Sequence, residues 1–435
     1  MRATLLPLLM TGLVIAVVFL PPSVGLASNG DFEKVSRYYN LVETASDQFH
    51  FATQHYPIDA AKHWDSGFVT SEHLPAWVAV QLQRLGGSPR FDIRWVGLAH
   101  AAVFLLAIVI AAPRLNGRLD GWLSAATLII LGDVANLAYF NTFYMDAAGL
   151  VFLLLAIAAY LRQWPWLVTI ATVLFVLAKP QHAVLGLPAV AFFLTRHQWT
   201  TALLVLAALT YSLRSVPDDY APPAVFNMIF YQLLPASANP SQDLRELGLG
   251  DEFLRYRGMY SFSEGAPIHD PDFNRAFRKR TSHARLAIFY LRHPLTAANI
   301  LLRQMSEAGQ IRAPMGNYDR STGKPPSAMS YSFALWSSLK SALFNGRGYL
   351  LLAATVLLSW FGRRQWTLVL TLWLAAITGC LADCLEVTRH LYFFHLLFDL
   401  LVLAIVWDRF RLTSDLALQV GGGKTVKLSA YRVEV

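Results

Sequence analysis

A handful of acids and cations in the polar turns of this 435-residue chain are the groups able to do chemistry. Asp31 lies in Ser28-Asn29-Gly30-Asp31-Phe32-Glu33, just beyond an apolar run at 5–22 and at the head of a long polar loop. Gly30 permits a tight turn, and Asn29 can bond its own backbone two residues on. Asp31 is thereby placed to act as a general base that takes a proton from a hydroxyl. A helix cap is the competing role, because an Asp directly before Phe32-Glu33-Lys34-Val35 can accept from the free amides of a new helix. Glu33 is a second carboxylate of the same turn.

Three further groups lie at similar turns. Asp146 stands in Asn141-Thr142-Phe143-Tyr144-Met145-Asp146, with Asn136, Tyr139, Asn141 and Tyr144 as nearby hydrogen-bond partners, and Asp133 lies nearer the hydrocarbon. Lys179-Pro180-Gln181-His182 offers a cation and two hydrogen-bonding side chains for a phosphate or sugar oxygen, or else a solvated turn. Arg389 and His390 sit where apolar sequence resumes, and a guanidinium there can bind phosphate bidentately. The alternative for Arg389 is a local ion pair with Glu386 or Asp383. His395 and Asp399 share a helix face and form a candidate buried structural pair.

Apolar sequence must position these groups. The chain is 55% hydrophobic and 15% charged, with a mean hydropathy of +0.40. That charge content is far below that of a soluble domain. Apolar runs occur at 5–22, 94–113, 121–141, 147–161, 165–179, 183–195, 200–214, 347–361, 366–384 and 390–407. They predict an all-α, polytopic transmembrane bundle of about ten spans. Arg114, Arg118, Arg162, Arg196, Arg363, Arg364, Arg409 and Arg411 fall in alternate connections, which places both termini inside. The first run also reads as a secretory signal ending at Gly25-Leu26-Ala27. Cys380 and Cys384 are too few for a disulfide framework and are expected to pack in the bundle.

The resulting division is a transmembrane module at 1–214 with an outer loop at 23–92, an outer helical region at 215–346, transmembrane helices at 347–407 and an inner tail at 408–435. Within 215–340, 14 Lys/Arg face 11 Asp/Glu, which suits a folded outer domain rather than a basic nucleic-acid tail. An amphipathic helix is expected over 31–49. Another is expected over 71–86, capped by Ser71 and stopped by Gly86, lying in the interface or packed on the outer region. Phe226, Ile229, Phe230, Leu233 and Leu234 are expected to dip into lipid headgroups. Arg275, Arg278, Lys279, Arg280 and Arg285 make a basic helix start that is either solvated or drawn to anionic headgroups or a charged glycan. Gly421-Gly422-Gly423-Lys424-Thr425 echoes the end of a phosphate loop but lacks its leading glycine and strand-to-helix setting.

The elements SNGDFEKV, YFNTFYMDAAG, AKPQH and LEVTRHLYFFHLLFDL, in this order and topology, resemble the membrane-embedded GT-C glycosyltransferases, most nearly the bacterial hexosyltransferases of surface glycans. The resemblance implies an inverting transfer of a monosaccharide from a polyprenyl-phosphate donor, of the undecaprenyl type, to a glycan, lipid or protein acceptor. The site would face the outside of the bacterial inner membrane. It assigns Asp31 as catalytic base and Arg389 as the donor-phosphate contact, with His390 and Lys179 as weaker phosphate contacts. Asp146 would organise the acceptor or a cation. Glu33, Gln181 and His182 complete the candidate substrate contacts. Relatives differ in their need for a divalent cation, so no cofactor is fixed and metal ligands stay unassigned. Asp31 and Glu33 are separated by Phe32, which departs from the adjacent acids of some branches. A transporter or flippase for lipid-linked saccharides is the alternative, and a non-catalytic envelope scaffold is a third.

Overall fold

The computed structural model describes residues 5–42, 49–59, 67–112 and 120–421, with backbone alone for Asp120 and 409–421. Arg114, Arg118 and Gly422 to Thr425 therefore lie outside the described residues, as does part of the amphipathic helix expected over 31–49. The described chain is mainly helical. Its one small sheet pairs β1 (His55–Pro57) antiparallel with β2 (Arg90–Asp92).

Helix α1 (Leu5–Val14) continues through a wider π-type turn to Phe19. Instead of a long amphipathic helix, the described residues 31–42 form the single turn α2 (Glu33–Ser36), ended through a short tight helix by the left-handed Asn40. Phe32 and Val35 are nevertheless buried beneath it. The next helix, α3 (His73–Leu85), forms where expected and ends at Gly86. The Ser71 hydroxyl does not cap it but donates to the Leu174 carbonyl at 2.8 Å. Pro75, Ala76 and Ala79 face the protein, whereas Leu74, Trp77, Val78 and Leu85 point outward.

The apolar runs supply α4 (Arg94–Ala111), α5 (Asp120–Leu131), α7 (Met145–Leu161), α8 (Pro165–Val176), α9 (Pro180–Leu185) with α10 (Leu187–Thr195), and α11 (Trp199–Arg214). Between α5 and α7 the single-turn α6 (Val134–Leu137) begins at Asp133, whose carboxylate accepts from the Ala135 amide at 2.9 Å. The run expected over 121–141 is thereby cut to a twelve-residue helix and a turn. Among the described residues only α4 is by itself long and apolar enough to cross a bilayer.

The segment 215–346 contributes α12 (Ala221–Phe226), α13 (Pro240–Glu246), α14 (Pro271–Arg280), α15 (His283–Arg292) and α16 (Pro294–Ala308). Phe226, Ile229, Phe230, Leu233 and Leu234 do not reach lipid. Each is at most 1% exposed, and with Phe253, Phe277 and Phe289 they form the core of this region. The domain needs its own apolar centre, and these aromatics supply it. The basic face of α14 is largely neutralised, since Arg275, Arg278 and Arg280 pair with Asp272, Asp218 and Glu252 at 3.7, 2.6 and 2.9 Å.

Helix α17 (Leu335–Phe344) meets α18 (Gly348–Phe361) at a bend of 115°, and together they make a second candidate crossing. The chain closes with α19 (Trp366–Leu381), the single turn α20 (Val387–His390) and the 30-residue α21 (Tyr392–Gly421). Leu335, Leu339 and Leu343 of α17 are exposed while Ser337 and Lys340 are buried. This polarity is the reverse of a soluble helix and suits an apolar surround. Cys380 and Cys384 are free, buried thiols.

Candidate functional site

Asp31 is not a helix cap. The short helix after it has no side-chain cap, and the Asp31 carboxylate turns toward the opposite end of the chain. Its Oδ2 lies 2.7 Å from Nη1 of Arg389, and Lys34 Nζ holds Oδ1. The turn beneath is built as the residue types suggest. Gly30 has φ +94°, and the Asn29 side-chain oxygen accepts from the Asp31 amide at 3.1 Å. Burial works to raise the Asp31 pKa, but Arg389, Lys34 and Lys179 outweigh it and hold the carboxyl below its ordinary range.

Arg389, only 4% exposed, is clamped from several sides. Its Nε and Nη2 donate to Glu386 Oε2 at 2.9 and 2.7 Å, and its guanidinium lies 5.1 Å from the Tyr144 ring centroid. Nη1, although close to Asp31, has no aligned hydrogen bond among the described residues. Glu386 adopts φ +52° and also accepts from Asn29 Nδ2 at 2.5 Å, so the first and last turns are joined directly. Tyr144 completes the tie: its hydroxyl donates to the Ala27 carbonyl at 2.9 Å and accepts from the Asn29 amide at 3.1 Å. Burial opposes the Arg389 charge, yet Asp31 and Glu386 prevail and keep the guanidinium protonated above its ordinary range.

A second set adjoins the first. At the N-terminal turn of α7, Asp146 accepts from Lys179 Nζ at 3.0 and 3.3 Å and lies 3.4 Å from His182 Nε2. All three are buried, and Phe175 and Phe393 flank the His182 ring at centroid distances of 5.5 and 4.0 Å. Asp146 also contributes to the field on Arg389, as Lys179 does on Asp31. Two separate turns of the sequence thus become one ionic layer.

The remaining candidates divide. His390 stays at the centre, 3.2 Å from Arg389 Nη2 and 4.0 Å from Asp383. Asp383 lies beyond the end of α19, where burial pushes its carboxyl up to about 6. Glu33 instead pairs with Arg37 on its own turn, and half-buried Gln181 is outside the ionic layer. Asn136, Asn141 and Tyr144 do not bond Asp146. Asn136 holds the Ile130 carbonyl, and Asn141 holds Val18 and Val24. The expected His395–Asp399 pair is also replaced. Asp399 accepts from Lys340 at 2.7 and 2.8 Å and from Trp336 at 2.8 Å, and His395 contacts the Ala308 carbonyl at 3.0 Å.

Sequence reasoning did not find the fully buried Glu72–His100 pair, 3.0 Å apart, or the anchoring role of Tyr144. The Tyr139–Tyr392 ring pair borders a small, partly open pocket also lined by Leu26, Arg312 and Asn317. Among the described residues no group of three or more His, Cys, Asp or Glu side chains is arranged to hold a metal ion.

A buried ionic centre inside apolar helices is what a membrane-embedded site requires, and comparison with known families agrees with that setting. The family model for the YfdI N-terminal transmembrane domain matches residues 1–420. The chain belongs to this family. It is therefore a membrane protein, and its outward-facing leucines and tryptophans have a hydrocarbon environment to meet. No curated protein and no solved structure matches the chain.

Proposed function

We propose that the protein is an inverting GT-C-type glycosyltransferase that moves a monosaccharide from a polyprenyl-phosphate donor to a glycan, lipid or protein acceptor, on the outer side of a bacterial inner membrane. The observation that carries this reading is the approach of Asp31 to Arg389 at 2.7 Å, a carboxylate and a guanidinium from opposite ends of the chain. Family membership adds the setting, since YfdI is a glycosyltransferase-like membrane protein.

In this reaction the acceptor hydroxyl attacks the anomeric carbon of the donor sugar and gives its proton to Asp31. The new glycosidic C–O bond forms as the bond to the donor phosphate breaks. That bond's electron pair leaves with the phosphate, whose growing charge Arg389 stabilises. Attack opposite the leaving group inverts the anomeric centre. The arrangement couples binding to basicity. A phosphate arriving at Nη1 of Arg389 competes for the guanidinium that holds Asp31, so the carboxylate becomes more basic as the donor seats. Lys179 and His182 fix Asp146, which organises the acceptor or a cation beside the reacting centre.

The deciding experiment uses purified protein in lipid, with a polyprenyl-phosphate hexose as donor and donor binding measured apart from sugar transfer. Arg389→Ala is expected to weaken both. Unchanged binding and transfer would remove the phosphate role, and movement of the lipid-linked sugar across sealed vesicles without any glycosylated product would favour a transporter.

A further inference from the structure

Helices α15 and α16 carry an apolar ridge that nothing among the described residues covers. On α15, Ala284, Ile288 and Leu291 recur at helical spacing, and on α16 Leu295, Ala298 and Leu302 do the same. All six are exposed, with Leu291 and Leu295 at 82% and 80%. The opposite faces, including Leu286, Phe289 and Ile300, are packed in the core of the outer region. The ridge is thus surplus to the fold.

One residue further round each helix runs a cationic ridge of Arg285, Arg292 and Arg303, all exposed. Unlike the arginines of α14, none of them makes a salt bridge to an acid among the described residues. Apolar and arginine ridges side by side are the surface of a helix lying in the headgroup plane, its leucines among acyl chains and its guanidinium groups at the phosphates.

The helix ends fix the depth. His283, which opens α15, contacts the Ala382 carbonyl just past the end of α19 at 3.0 Å. Ser306, near the end of α16, accepts from the Gly348 amide that opens α18 at 3.0 Å. The pair thus crosses the ends of two apolar helices, and α18 continues the exposed apolar surface with Tyr349 and Leu350 at 62% and 40%.

We infer that α15 and α16 lie embedded in one leaflet, the 284–302 ridge in acyl chains and Arg285, Arg292 and Arg303 on anionic phospholipid headgroups. Such a pair anchors the outer region to the membrane independently of any catalytic role.

The test is depth-dependent quenching in full-length protein whose two buried cysteines are replaced by alanine. A fluorescent label is placed on a single new cysteine at Leu291, Leu295 or Glu264, and the protein is reconstituted in phosphatidylcholine vesicles with or without phosphatidylglycerol. Labels at 291 and 295 are expected to emit to the blue, to be quenched by acyl-brominated lipid and to be shielded from iodide. The label at exposed Glu264 should behave in the opposite way. Iodide quenching at 291 and 295 equal to that at 264 would overturn the inference. So would shielding from both quenchers with crosslinking between two copies through position 291, which would make the ridge a protein interface. In the Arg285→Gln/Arg292→Gln variant, the preference of this segment for phosphatidylglycerol should fall roughly fivefold per arginine. An unchanged preference would remove the headgroup contacts.

Discussion

Asp31 is held ionised by three cations at any ordinary working pH. Its folded-state pKa lies below the unfolded value, so the stability it supplies is present above the ordinary carboxylate range and is lost only as acid titrates through the depressed value. Asp31→Asn keeps the size and removes the proton acceptor. Turnover should drop roughly 10²–10⁴-fold, while donor binding, read separately, survives. Near-normal transfer would eliminate Asp31 as the base. Asp383 has the opposite sign. With its pKa raised to about 6, the folded state binds its proton more tightly than the unfolded chain, so stability declines as pH rises through about 4 to 6 and is flat above. Thermal unfolding of Asp383→Asn should lack that decline, and parallel profiles for the two proteins would reject it. Asp31 and Arg389 were legible individually because polar groups beside apolar runs stand out. Their direct contact was not, since it depends on how the first and last turns meet. The union of Asp146 with Lys179 and His182 was hidden for the same reason.

Among the elements, α17 shows how a helix is held with its polar side inward. Lys340 reaches Asp399 of α21, and Trp336 donates to the same carboxylate. Lys340→Met should cost about 3–5 kcal/mol, because Asp399 is left buried without its countercharge. Adding Asp399→Leu should recover much of the loss, and melting temperatures of the two variants in detergent decide it. Gly149 of α7 marks another tight place, where an added Cβ would lie 2.6 Å from His182 Cε1 and 2.7 Å from Phe393 Cζ. Gly149→Ala should cost roughly 1–3 kcal/mol through overpacking and displace His182 from Asp146. Hydropathy located a helix in all or part of each apolar run but misjudged their limits where Asp133 and Pro180 start new helices. It also sent Phe226 and Phe230 to lipid, because an apolar residue buried in protein and one buried in hydrocarbon look alike in sequence.

At the scale of the whole molecule, a labelled cysteine at Glu264 should react from the side opposite one at Arg364, which lies between α18 and α19. Reaction from the same side would refute the predicted topology. The same arrangement has a consequence in time. Asn29 and Glu386, joined by a hydrogen bond, are 357 residues apart. At typical synthesis rates that interval is roughly 20–70 s, during which Asp31 has emerged without its partner. The ionic centre is thus a mark of completion, closed only when the last helices arrive. A chain ending before α20 should insert yet stay inert. Two halves made separately, divided at the exposed turn around Gly323, should regain the centre when produced together, with the final helices supplying in trans what the first turn has been waiting for.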